Sequence, residues 1–196
     1  QHALQAGWDM LSPGGCMTNC SVPVLDVLHS AFGVVSAQVH FLHSYTSRQQ
    51  LVDAPHRQYR RGRAAAESII PVEIDLAHSL ERLMPHLDGK VAAISTRIPV
   101  ANGALGDFTI QTEAACTAQA VQHAFAEAAL NKYNGVLDCT EEPLVSLDVK
   151  GNTHSCVIEC PLISVVGRQV KVFAWFDNEY GYTSRIIDWL LLNGNI

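Results

Sequence analysis

The chain has 196 residues, 48% hydrophobic and 16% charged, with 13 Lys+Arg against 19 Asp+Glu and a formal net charge of −6. A chain this long buries roughly 70% of the surface it exposes when unfolded and needs no staple to hold a core, so residues 1–196 are read as one domain. The acidic balance argues against a nucleic-acid or anionic-membrane surface, since both are bound by excess Lys and Arg. No apolar run approaches the ~20 residues of a bilayer span. The start, Gln1-His2-Ala3-Leu4-Gln5, lacks the basic-then-apolar pattern of a signal peptide, and the expectation is a soluble, cytoplasmic protein.

In chain order, Val24, Leu25, Leu28, Ala31 and Phe32 recur at helical spacing, and Gly33 follows. They predict a helix over residues 17–32, kinked at Pro23. Residues 34–43 alternate, with Val35, Ala37, Val39, Phe41 and His43 on one face, and predict a strand ending at His43. Residues 48–64 carry charges without periodicity, Arg57, Arg60, Arg61 and Arg63 among them, and read as a long basic loop. Strands over residues 90–98 and 104–112 are joined by Pro99-Val100-Ala101-Asn102-Gly103, whose Asn-Gly step marks a turn and suggests a hairpin. Thr117 caps a helix carrying Val121, Ala124, Phe125 and Ala128, which runs out near residues 131–135. Short strands follow over residues 144–149, 155–159 and 169–176, and a helix over residues 182–192 closes the chain. These elements predict an α+β fold: a mixed, largely antiparallel sheet with helices on one face.

The 6 cysteines contain no Cys-x-x-Cys pair, and the four-residue spacings of Cys16/Cys20 and Cys156/Cys160 do not match a structural zinc site. Reduced thiols and no metal are therefore expected. Cys16 follows Pro13-Gly14-Gly15 and opens a helix, where unpaired backbone N–H groups and the positive dipole end stabilise a thiolate. It is a candidate nucleophile. The same pattern also fits a small buried residue at a helix start, and His43 equally fits a half-buried strand histidine. Covalent chemistry needs a base within reach of the thiol, and 9 His offer many accidental partners.

A resemblance separates these readings. Gly15-Cys16-Met17-Thr18-Asn19-Cys20 resembles the Ser-Cys-Thr-Thr-Asn-Cys nucleophile motif of phosphorylating glyceraldehyde-3-phosphate dehydrogenases and the related erythrose-4-phosphate dehydrogenases. In order follow His43-Ser44-Tyr45-Thr46, similar to the catalytic His-Ala-x-Thr stretch, and Arg60-Arg61-Gly62-Arg63, similar to the arginine-bearing loop. Thr96-Arg97-Ile98-Pro99-Val100 resembles the Arg-Val-Pro strand, and residues 175–182 resemble the Trp-Tyr-Asp-Asn-Glu-x-Gly-Tyr signature. The resemblance implies that Cys16 attacks an aldehyde and that His43 takes its proton. By the same carry-over Thr46 and Arg97 hold the phosphate of a small phosphorylated aldehyde, Arg63 serves a second anion site, and Asn178 with Tyr182 meets the nicotinamide of NAD. A homo-oligomer is also implied.

Three departures from the family pattern stand out. Gly15 and Met17 replace the hydroxyl residues that flank the nucleophile, and Glu73-Ile74-Asp75 replaces Ser-Thr-Gly. Donors for an attacking inorganic phosphate are thus exchanged for carboxylates, a pocket better suited to thioester hydrolysis than to phosphorolysis. The third departure is the Rossmann domain that precedes the nucleophile motif in the family: no Gly-x-Gly-x-x-Gly occurs in this sequence. The expectation is a catalytic domain that does not turn over NAD unless a separate nucleotide-binding domain is supplied. Two other readings stay open: cofactor-free thiol acyl transfer or esterase activity, and a non-catalytic oligomerisation or binding module that retains the fold.

Overall fold

The structure is a computed structural model that describes residues 12–192. Helix α1 (Cys16–Phe32) leads into strand β1 (Val34–Ser44) through Gly33, whose φ of 69° places it in the left-handed region that glycine tolerates. The remaining elements are β2 (Ile70–Val72), α2 (Leu76–Leu83), β3 (Val91–Ile98), β4 (Ala104–Thr112), α3 (Ala118–Leu130), β5 (Leu137–Thr140), β6 (Cys156–Glu159), β7 (Ser164–Val166), β8 (Gln169–Phe176) and α4 (Tyr180–Leu192). Short 3-10 turns at Tyr59–Gly62, Pro85–Leu87 and Cys160–Leu162 fill the connections. None of the described helices is long and apolar enough to cross a membrane.

The strands form one eight-stranded sheet in the order β2-β3-β1-β4-β8-β6-β5, with β7 on β8. The β1–β3 and β5–β6 pairs are parallel and the other pairs antiparallel. This is the expected α+β, largely antiparallel architecture. The alternation that predicts β1 is its burial pattern from Ala37 onward, where Ala37, Val39, Phe41 and His43 are buried and Gln38 is exposed. Val35, expected on the buried face, is exposed because the pairing with β4 shifts register between Val34 and Ser36. Helix α1 lays Cys20, Val24, Leu25 and Leu28, all 0% exposed, into the core with Phe108 and Ile110 of β4 and Val170, Val172 and Ala174 of β8. Phe41 sits edge-on to Phe108 and Phe176 at centroid distances of 5.8 and 5.7 Å, a favoured aromatic geometry.

Four expectations are corrected. First, β3 and β4 are not a hairpin, because β1 lies between them, parallel to β3 and antiparallel to β4. The connection at residues 99–103 crosses the end of β1, and its carbonyls at Val100 and Gly103 accept from the N–H groups of Tyr45 and Ser44. Second, residues 144–149 are a turn rather than a strand, closed by Asp148, whose carboxylate takes the Val145 N–H at 2.7 Å. Third, Cys139 and Cys160 are joined in a disulfide with a Cα–Cα distance of 6.3 Å, so not every thiol is reduced. The parallel β5–β6 pairing sets Cys139 beside Ile158 and brings Cys160 within reach. Fourth, the closing helix starts at Tyr180 rather than at residue 182.

Candidate active site

The site is assembled where the N-terminus of α1 meets the C-terminal ends of β1 and β3 and the start of α4. Gly14, at φ 74°, turns the chain into Gly15, whose carbonyl accepts the first helical bond from the Asn19 N–H. Cys16 is therefore the first residue of α1. Its thiol lies against its own N–H and that of Met17, both of which favour the thiolate. Burial outweighs them, together with the Arg97 charge, and holds the thiol above its ordinary value.

Cys16 Sγ is 3.6 Å from His43 Nε2, so two residues 27 positions apart in the chain meet. His43 is 3% exposed, and its ring stands edge-on to Phe176 at 6.3 Å. Its Nδ1–H donates to the Ser44 carbonyl at 2.7 Å, which fixes the tautomer and leaves the Nε2 lone pair facing the thiol. Burial first, and then the Arg97 charge, push the imidazole down to about 4. At neutral pH the pair therefore rests as a thiol and a neutral imidazole: the base is free to accept a proton, and no ion pair is formed in advance.

Arg97 pairs with His43 across the β1–β3 register and is 7% exposed. Its Nη1 donates to the same Ser44 carbonyl at 3.1 Å, while its buried Nε has no partner among the described residues. Among the described residues no carboxylate neutralises it. Burial depresses its proton affinity, as does the charge of Arg61, whose own Nη1 is buried and unpartnered. Two neighbouring guanidiniums with unsatisfied donors make a ready binding place for an anion.

The sequence motif singles out Arg63, whereas the structure brings forward Arg61. The Arg63 guanidinium is exposed and bound to Asp53 at 3.2 Å, so it is not among the groups gathered around Arg97. The loop bearing both residues is tied down by the buried side chain of Gln49. Its Nε2 donates to the carbonyls of Arg60, Arg61 and Arg63 at 3.2, 3.1 and 3.0 Å. Thr46 lies half-buried two residues beyond Ser44, with its hydroxyl accepting from the Arg48 N–H at 3.4 Å. Of the substituted carboxylates, Glu73 lines a cavity of about 310 Å³ with Arg60 and Arg61, and Asp75 is exposed.

Asn178 lies on the other side of His43. Its Oδ1 accepts from the Ser44 hydroxyl and the Gly103 N–H, both at 3.0 Å. The carbonyl end of this amide is thus spent internally, and only the NH2 end is left for a ligand. Tyr182 stands half-buried one turn further on, in α4. Ser44 is a second residue that sequence alone does not mark. Its carbonyl receives His43 and Arg97, its hydroxyl reaches Asn178, and no motif assigns a serine to that task.

Residues 15–178 match the family described as glyceraldehyde 3-phosphate dehydrogenase, C-terminal domain. The chain is 41% identical over 186 residues to glyceraldehyde-3-phosphate dehydrogenase 1 of Streptomyces avermitilis, covering 95% of this chain and 56% of that one. It is 43% identical over 180 residues to glyceraldehyde-3-phosphate dehydrogenase 2 of Bacillus subtilis, covering 91% and 53%. Against glyceraldehyde-3-phosphate dehydrogenase B of Aspergillus oryzae it is 40% identical over 185 residues, covering 93% and 55%. The chain spans about half the length of these curated relatives. By both measures, the matched domain and the identity, it belongs to the glyceraldehyde 3-phosphate dehydrogenase family through that family's C-terminal domain.

Proposed function

We propose that this chain is the catalytic domain of an aldose-phosphate dehydrogenase of the glyceraldehyde-3-phosphate type, with Cys16 as nucleophile and His43 as base. The observation that carries the reading is the 3.6 Å approach of Cys16 Sγ to a neutral His43 Nε2, beside a buried, unneutralised Arg97. As Sγ adds to the aldehyde carbon, His43 Nε2 takes the thiol proton, leaving a thiohemiacetal on Cys16. The imidazolium so formed is short-lived, because burial and Arg97 both disfavour it, and it readily returns its proton. Arg97 and Arg61, with Thr46 nearby, hold the substrate's phosphate and so fix the carbonyl over the sulfur. Arg61 rather than Arg63 supplies the second guanidinium in this reading.

NAD is the cofactor of the proposed activity, and the residues fit its nicotinamide end: Asn178 offers a free NH2 group, and Tyr182 lies beside it. When bound, NAD supplies the hydride acceptor. With Glu73 and Asp75 in place of hydroxyl donors, the resulting acyl group on Cys16 is proposed to leave by hydrolysis. Beside the sulfur, the space that a side chain at Gly15 would occupy is open among the described residues, none of which places an atom within 4 Å of where its Cβ would stand. A separate nucleotide-binding domain is proposed to complete the cofactor site. A homo-oligomer belongs to the same reading, supported by the outer sheet face, where Ile94 is 46% exposed, and tested by light scattering.

The test is NADH formation from glyceraldehyde 3-phosphate or erythrose 4-phosphate once a family nucleotide-binding domain is added in trans. Turnover that disappears in Cys16→Ala supports the proposal, and none with a bound, folded partner domain argues against it. The thiol–imidazole pair is complete within this chain, which favours cofactor-free acyl transfer as a second reading. Cys16-dependent turnover of an activated ester without NAD would select it.

A further inference from the structure

Among the described residues, Asp177 is the buried carboxylate next to the site that the catalytic proposal leaves without a task. It is 2% exposed, and it is bound by neutral donors. Oδ2 accepts the Gly151 N–H at 2.8 Å; Oδ1 accepts the N–H groups of Glu179 and Tyr180 at 2.8 Å and the Asn102 amide at 3.3 Å. A helix cap needs only the Glu179 and Tyr180 contacts, and an uncharged serine would supply it. The other two contacts reach into separate segments, the turn at Gly151 and the β3–β4 connection. Against the burial that would raise it, the three backbone N–H donors and the Asn102 amide hold the Asp177 carboxyl below its ordinary value, so a charge is kept ionised here with more donors than capping alone requires.

What these contacts share is the position of Asn178 and its partner. Asn102 precedes Gly103, and Asp177 precedes Asn178, so one carboxylate pins both ends of the Gly103 N–H to Asn178 Oδ1 bond. Asn178 Oδ1 in turn holds the Ser44 hydroxyl, and the Gly103 carbonyl holds the Ser44 N–H at 3.2 Å. The Ser44 carbonyl is the shared acceptor for His43 Nδ1 and Arg97 Nη1. Hydrogen bonds joined through short stretches of backbone therefore link Asp177, by way of Asn102, Gly103, Asn178 and Ser44, to both the base and the anion-binding guanidinium.

We propose that Asp177 is a positioning residue, whose carboxylate, acting through Asn178 and Ser44, sets the orientation of the His43 ring toward the Cys16 thiol. This rests on the reading of Cys16 and His43 as nucleophile and base. The carboxylate touches neither reacting atom. Its effect is on how well Nε2 is aimed, a quantity to which proton transfer is steeply sensitive.

The experiment measures the rate of Cys16 carboxamidomethylation by iodoacetamide, resolved by peptide mass spectrometry, from pH 5 to 9 in the 196-residue chain. Asp177→Ser keeps a capping oxygen but loses the reach to Gly151 and Asn102. It is expected to lower the rate at pH 6 about tenfold and to replace a flat profile with one that rises with the thiolate fraction. Circular dichroism and the melting temperature report folding separately. Should Asp177→Ser not fold, Ser44→Ala removes the hydroxyl link to Asn178 while the Ser44 N–H stays on the Gly103 carbonyl, and it is expected to change the profile in the same direction by a smaller amount. A folded Asp177→Ser, or failing that a folded Ser44→Ala, with wild-type rate and profile overturns the proposal. Failure of the underlying reading looks different: the wild-type profile would then be unaltered by His43→Asn.

Discussion

At the scale of single residues, burial of an uncharged imidazole governs the electrostatics of the site. His43 is held down to about 4 from an ordinary value of 6.5, so between those values the unfolded chain binds a proton that the native protein refuses. Stability is therefore full above about pH 6.5 and declines as pH falls toward 4, by a total of about 3 kcal/mol. Urea titrations at pH 7 and pH 4.5 check this: His43→Asn should show a smaller loss than the wild type over that interval. Arg97 is the second residue whose burial demands an explanation. Phosphate or sulfate should raise the melting temperature of the wild type, and Arg97→Met should abolish the rise. An unchanged rise would place the anion elsewhere.

Cys16, His43 and Arg97 are legible only through the ordered family motifs, because a cysteine at a helix start or a histidine at a strand end fits a packing role equally well. Ser44 and Asp177 fall within those motif stretches, yet their hydrogen bonds, made through a backbone carbonyl and to backbone N–H groups, are not announced by residue identity. The choice between Arg61 and Arg63 is similarly hidden. Two residues apart on one loop, they are distinguished by a partner, Asp53, and by a buried glutamine, Gln49, neither of which any spacing announces.

At the scale of elements, the arginine loop depends on Gln49. Replacing it with Leu leaves three carbonyls without their side-chain donor and should cost about 1–3 kcal/mol. Faster tryptic cleavage at Arg60 and Arg61, with β1 still protected, is the expected signature. The edge strand β5 is tied to the segment after β6 by the Cys139–Cys160 bond, which closes a loop with a sequence separation of 21. By the entropy of loop closure, its reduction should lower stability by about 3 kcal/mol. A Cys139→Ser, Cys160→Ser variant as stable as the oxidised protein would remove that contribution.

Why some elements escape a reading from sequence is also a matter of geometry. The Asn-Gly turn between β3 and β4 carries the usual hairpin chemistry, yet two strand spacings are only about 10 Å, and five residues span that easily. Turn chemistry therefore does not reveal that β1 is inserted. The alternating Val145, Leu147 and Val149 imitate a strand, but the Asp148 carboxylate closes a local turn instead. Helix α2 leaves little trace although Leu76 and Leu80, one turn apart, are both buried, because eight residues beside an acidic loop give too little repeat.

At the scale of the whole molecule, β1, β3 and the segment after β8 bring residues 43, 97 and 178 to one end of the sheet, and helix α1 brings residue 16 to meet them. Long alternating strands and two well-marked helices make that architecture readable, while three-residue strands such as β2 and β7 leave no periodic trace. The proposed function leaves this chain only the nicotinamide-end contacts of NAD. On that reading, titration with NAD should give no saturable quenching of Trp175 fluorescence in the micromolar range. Micromolar saturation would show that the domain binds the whole dinucleotide.

The central claim is that the Cys16 sulfur and the His43 ring act together as one reactive unit. The most direct measurement is the pH dependence of Cys16 alkylation compared between wild type and His43→Asn. The wild type should react at a nearly constant rate from pH 5 to 8 and faster than the other free thiols, whereas the variant should slow about tenfold for each unit of falling pH. Coincident profiles for the two proteins would contradict it.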